Sequence, residues 1–238
     1  MKSIFILYFL FLIPTVFAFK VAPMSQTIGD RGQQSKSLYY IENDSPYPIA
    51  IEIKVKRRDM DKDGKEVRKS AGNDIFIFPD QLIVRPSEKK SVRVHYKGGP
   101  TSNSEKAYRV IFSQLPIETE GEKKKGSSIK VNLNYVTALY VSQKNYKDEV
   151  ILGRATIEGK KLVIPIINKG KRHRVLKNTS IKLTWGEGSS LKLNTKEQLK
   201  GLEGANLLAL KTRIFKITKP KEMKNIKGPI LGEITFQN

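Results

Sequence analysis

Short runs of alternating polar and apolar residues recur along this 238-residue chain, separated by clusters of Gly, Pro, Asn, Asp and Ser. Helical periodicity is scarce, and the strand pattern starts afresh after residue 148. Together these observations predict an all-β fold of two immunoglobulin-like β-sandwich domains in tandem, over residues 19–142 and 149–238.

Residues 1–18 read as a secretory signal peptide rather than as fold. Lys2 is its positive end, residues 4–13 its short apolar core, and Val16-Phe17-Ala18 carries small residues where a signal peptidase reads. No other stretch approaches the roughly 20 apolar residues of a membrane span, so an exported protein without stable membrane insertion is expected. The chain has no cysteine, which excludes thiol catalysis and cysteine metal sites and requires cores large enough to stand without disulfides. That usage leans towards a bacterial periplasm. Lys and Arg number 44 against 23 Asp and Glu, a formal +21 that favours acidic partners. The basic residues are dispersed, with no stripe of interleaved aromatics, and nucleic-acid binding is not expected.

Strands are expected over 21–28, 37–42 and 49–56, the last with Ile49, Ile51, Ile53 and Val55 on one side. The Asn43-Asp44-Ser45-Pro46-Tyr47-Pro48 turn precedes that third strand. Residues 75–78 and 81–84 follow around Pro79, then 89–96 and 107–115, which Pro116 ends. Residues 117–128 have little to bury and read as a loop. Residues 129–141, IKVNLNYVTALYV, alternate with a period of two over roughly 40 Å at ~3.3 Å per residue. The first half is two-faced and the second is apolar on both sides, as in a strand buried at one end and partly open at the other. A long edge strand invites pairing, so one that persists has a use, here lending itself to another protein; an ordinary central strand fits the alternation equally well.

Beyond a polar linker at 142–148, strands are expected at 150–157 and 162–167, joined by Glu158-Gly159-Lys160, then at 180–185, 191–193, 207–218 and 229–236. Residues 162–168 followed by a turn and strand echo residues 38–43 followed by theirs, which supports two sandwiches rather than one large domain.

Little here points to catalysis. Asp59, Asp61, Asp63 and Gly64 match the opening of a calcium loop, but Ser70 stands where the bidentate Glu belongs. A solvated hairpin with Asp63-Gly64 at its tip is the better reading. The two histidines, His95 and His173, fall in different domains and read as surface residues, without a zinc site or serine triad. No catalytic residue, metal or cofactor is assigned, and the chain is not expected to be an enzyme. A secreted adhesin or carbohydrate-binding sandwich is the rival reading.

In order, VAPMSQTIGDRG, IENDSPYPIAIEI, FIFPDQLIVRPSEKKSVRVHY, EKAYRVIFSQLP, the loop, and the long strand ending in ALYV resemble the periplasmic PapD-like chaperones of the chaperone-usher pathway. The likeness spans residues 21–141; the second half resembles the family only in size and strand content, and its disulfide is absent. The resemblance implies a boomerang of two immunoglobulin-like domains, pilus or fimbrial subunits and an outer-membrane usher as partners, and donor-strand complementation. The subunit-binding residues would be Ile129, Val131, Leu133 and Tyr135. Self-association through the same edge stays open. In that family an Arg in the first strand and a Lys late in the last hold the subunit's terminal carboxylate. Here those positions fall among residues 23–27 and near Ala138, neither basic, and Arg109 is the substitute anchor.

Overall fold

The computed structural model describes residues 19–116, 133–224, 226 and 228–237. The predicted leader and two of the predicted donors, Ile129 and Val131, therefore lie outside the described residues. The protein is all-β, a pair of sandwiches with separate cores.

Strands β1 (Phe19–Ala22), β2 (Ser25–Ile28), β3 (Lys36–Asn43), β4 (Ile49–Met60), β5 (Glu66–Ser70), β6 (Ile75–Phe78), β7 (Gln81–Val84), β8 (Lys89–Tyr96), β9 (Lys106–Leu115) and β10 (Asn134–Val141) build the first domain. One sheet runs β1-β3-β8-β6; the other runs β2-β10-β9-β4-β5, with β7 also on β4. Alternation along each strand turns Tyr39, Ile41, Ile51, Val92, Val94, Tyr108, Val110, Phe112, Leu139 and Val141 into one core. Each fully buried Ile, Val, Leu or Phe stabilises it by ~1.5–3 kcal/mol.

Residues 21–28 were expected to form one strand but form two. β1 pairs with β3 in the first sheet, whereas β2 pairs in parallel with β10 in the second. The division falls at Pro23, which has no N–H to offer either ladder.

The second domain comprises β11 (Val150–Leu152), β12 (Thr156–Glu158), β13 (Lys161–Asn168), β14 (Arg174–Val175), β15 (Thr179–Trp185), β16 (Ser189–Leu193), β17 (Asn206–Leu207), β18 (Thr212–Thr218) and β19 (Leu231–Phe236). Its sheets are β11-β13-β12 with β18 on β13, β16-β15-β19, and a short β14-β17 pair. Leu162, Ile164, Ile166, Leu183 and Leu193 fill the second core. The strand expected over 207–218 is interrupted between β17 and β18, where Leu210 takes a positive φ of 56°.

The echo between the halves has a physical counterpart. Asn43 and Asn168 each end a central strand, and both are buried. The Asn43 amide donates to the carbonyls of Tyr47 (2.8 Å) and Val84 (3.0 Å). That of Asn168 donates to the carbonyls of Arg172 (2.7 Å) and Leu208 (3.3 Å).

Candidate binding edge and interdomain cleft

Strand β10 is covered unevenly. All eight of its residues pair with β9, but only Ala138 to Val141 pair with β2 on the other side. Among the described residues, the edge from Asn134 to Thr137 has no second neighbour. Which main-chain groups that edge presents follows from alternation. Gln114 N–H donates to Leu133 C=O across the β9 side, while Ala138 N–H donates to Met24 C=O across the β2 side. Odd residues therefore serve β9, and the N–H and C=O groups of Asn134 and Val136 point to the open edge.

The odd side chains face the first core. Leu133 and Tyr135 are partly buried against it. The Tyr135 ring lies edge-on to Phe19 at 4.7 Å, and its hydroxyl donates to the Phe19 carbonyl. Two of the four predicted donors thus lie at the margin of the sandwich, already in partial contact with it.

The even side chains face the second domain. Ala138 and Tyr140 are buried in a small cluster with Met60, Ala107 and Leu208. This explains why the second half of the strand is apolar on both sides: one side meets the core, the other the domain junction. Tyr140 receives a hydrogen bond from Arg58 (3.0 Å) and another from the Asn206 amide (2.8 Å).

Arg109 stands on the same face, next to Ala138 in β10 and Lys56 in β4. Its guanidinium already has a partner: Nε and Nη2 donate to Glu66 Oε2 at 2.9 and 2.6 Å. Arg58 Nε lies 2.9 Å from the same oxygen, and Arg68 donates to Oε1 at 2.5 Å. Burial would raise the Glu66 pKa, but the hydrogen bonds from Arg109 and Arg68 outweigh it and hold it at about 2. Asp30 is also held at about 2: burial is outweighed by hydrogen bonds from Thr101, Gln143 and Arg31.

Both carboxylates are more acidic folded than unfolded. Their stabilisation is full above their ordinary values of 4.5 and 3.8, and is lost as pH falls towards 2. Glu66→Gln is expected to cost about 1–2 kcal/mol at pH 7 after allowance for solvent screening. The deficit should shrink to nothing near pH 2. Urea unfolding of both proteins between those pH values checks this, and a deficit independent of pH would contradict it.

The junction holds features that the sequence did not disclose. The β4–β5 hairpin reaches the second domain: Ile214 N–H donates to Lys62 C=O at 2.6 Å, and Lys211 pairs with Asp59 at 2.7 Å. Its tip is exposed as expected at Asp61, Lys62, Asp63 and Lys65, and in addition one side of it lies against β18. Gly64 has φ +81°, a conformation that calls for glycine, and it lies directly against the Arg213 guanidinium. Of the acidic triplet, Asp61 serves the turn, its Oδ1 accepting the N–H groups of Asp63 (3.0 Å) and Lys65 (2.8 Å).

His173, expected on the surface, is instead enclosed. Its ring stacks on Tyr140 at 3.6 Å, and Nδ1 lies 2.8 Å from Oε1 of Glu105, whose side chain is 1% exposed. A cavity of about 440 Å³ opens beside these contacts, lined by the cations Arg57, Arg58, Lys69, Lys106 and Lys211 and only two acids, Asp59 and Glu105. Its field favours an anion.

Two sandwiches joined through such a cleft make a two-domain, immunoglobulin-like β architecture. Residues 25–142 match the pili and flagellar-assembly chaperone family, PapD N-terminal domain. The chain belongs to the PapD-like chaperones. No curated protein is matched at the level of sequence. Among solved structures, the chain resembles one from the CsuC–CsuE chaperone-tip adhesion subunit pre-assembly complex of the archaic chaperone-usher Csu pili of Acinetobacter baumannii. That match has a TM-score of 0.62 and 14% identity, over 90% of this chain and 97% of that one. The class 5 fimbriae chaperone CfaA matches with a TM-score of 0.59 and 16% identity, over 93% and 100%. A chain of the Salmonella enterica SafA pilin–SafB chaperone complex matches with a TM-score of 0.56 and 15% identity, over 93% and 98%.

Proposed function

We propose that this protein is a periplasmic chaperone that completes pilus or fimbrial subunits by lending them the open edge at the start of β10 and the residues that lead into it, and then passes them to an outer-membrane usher. The observation that carries the reading is the half-covered strand. One end of β10 is locked between β9 and β2, while the other presents the main chain of Asn134 and Val136 to a partner. Strand addition needs both: a rigid base, and an edge whose hydrogen bonds supply generic affinity while alternate side chains fill pockets.

Ile129, Val131 and Leu133 are the proposed pocket-filling residues, with Tyr135 at the base. Arg109 remains the proposed carboxylate anchor, by exchange. Glu66 has three guanidinium partners and would keep Arg58 and Arg68 if a subunit's terminal carboxylate took Arg109. No catalytic step is part of this role.

Co-expression in the native periplasm, mild purification and mass spectrometry test the reading. The expected companion is a stoichiometric, small, β-rich exported protein that aggregates when made alone. Ile129→Asp and Val131→Asp should leave the chaperone folded and empty. Capture retained by both variants would end the strand-donation reading in favour of glycan binding.

A further inference from the structure

The sheet β1-β3-β8-β6 has one face on the first core and the other on solvent. Cross-strand register places Leu38 beside Arg93 and Arg93 beside Phe78, with Lys36 beside His95 and His95 beside Phe76. Leu38, Tyr40, Phe76 and Phe78 are 39, 42, 43 and 62% exposed, so four large apolar or aromatic side chains share one face. Neither the core nor the cleft accounts for them.

The charged residues around them are mostly cationic. Lys97 Nζ lies 4.3 Å from the centre of the Phe76 ring, and Lys89 Nζ 5.2 Å from that of Tyr40. The strand positions of this face carry Lys20, Lys36, Lys89 and Arg93 against a single acid, Glu42. Lys20 is offset by Asp44 at 2.5 Å. Burial, with Lys36 and Lys97 nearby, holds the His95 pKa below its ordinary value, so His95 adds no charge at neutral pH.

Exposed apolar side chains gathered on one face mark a contact surface, here in two rows with Arg93 and His95 of β8 between them. The rings here stand exposed on an antiparallel face, and the cationic cavity lies on the other sheet, at the junction. Exposed aromatics flanked by lysines suit a bilayer boundary. The rings enter among the headgroups, while lysine stems follow them and return their ammonium groups to the phosphates. We propose that this face docks the protein peripherally on an anionic lipid membrane.

The test is co-sedimentation of the mature protein with vesicles of mixed phosphatidylglycerol and phosphatidylcholine, against phosphatidylcholine alone. A chain this basic will feel any anionic surface, so the decisive variants hold charge constant. Phe76→Ser combined with Phe78→Ser is expected to weaken binding to the mixed vesicles about tenfold or more. Lys192→Glu combined with Lys200→Glu, on the second domain, should weaken it far less. Phe78→Trp gives an independent readout, because the native Trp185 is only 8% exposed and sits in the second core. Brominated phosphatidylglycerol should quench the new tryptophan and leave Trp185 unchanged. No binding to the mixed vesicles, wild-type binding by the double serine variant, or no quenching of the new tryptophan would each overturn the proposal. Loss of a co-purifying acidic protein with vesicle binding unchanged would overturn it in favour of a protein partner.

Discussion

Asn134→Pro should leave the chaperone folded and lower subunit capture by roughly a hundredfold. The reason is the direction of a single N–H. Asn134 is the first residue of β10, its side chain is exposed, and its main chain points away from β9. Proline there removes a donor that no group among the described residues receives, which is the edge position where proline is tolerated. For an incoming strand the same change is severe. A lost ladder bond and a ring projecting at the partner cost about 3 kcal/mol, or roughly two decades in affinity.

Tyr135→Pro is the matched contrast. Its N–H serves the internal ladder with Phe112, so that variant should lose stability as well as capture. Thermal unfolding and co-purification of the two variants separate the roles. Unimpaired capture by Asn134→Pro would show that the open edge is not where subunits pair.

The second large effect is on stability. Asn168→Ala is expected to destabilise the protein by about 3–5 kcal/mol, and Asn43→Ala by a similar amount. Each side chain replaces backbone pairing where a strand turns away from its sheet. Besides the donations described above, Asn43 Oδ1 accepts Ser45 N–H (2.9 Å) and its hydroxyl (2.7 Å). Asn168 Oδ1 accepts Gly170 N–H (3.0 Å) and Glu149 N–H (3.2 Å). Alanine strands several buried or half-buried polar groups at once, each costing about 1–3 kcal/mol when left unmade. Asn→Asp should not rescue either site, because a carboxylate cannot donate to the carbonyls. Denaturant titration would detect the loss, and a change below about 1 kcal/mol at both positions would refute this account.

What could be read from the sequence was local in origin. Alternation along residues 49–56, 89–96 and 107–115 located strands because one face of each meets a core. The two-sided apolar character of residues 138–141 likewise announced burial on both faces. Alternation names no neighbour, however. Residues 21–28 read as one short extended stretch, and nothing local says that the halves flanking Pro23 belong to different sheets.

The junction was hidden for the same reason. Glu105 and His173 are 68 residues apart, and Arg109 and Glu66 are 43 apart. Nothing local distinguishes an ion-paired arginine on a strand from a solvated one. A different long-range feature did leave a trace: the repeat of Asn at the end of residues 38–43 and 162–168 proved to be a shared way of closing a strand.

The reach of the β4–β5 hairpin has a mechanical consequence. A single connecting segment would leave the two sandwiches free to swivel. Here the hairpin tip on β18, the Glu105–His173 pair and the Tyr140–Asn206 bond brace them at three further places. The cleft is therefore a jig whose angle is set before anything enters it. Under the proposed function, a guest would conform to that angle, and the loss of freedom on docking would fall on the guest rather than on its holder.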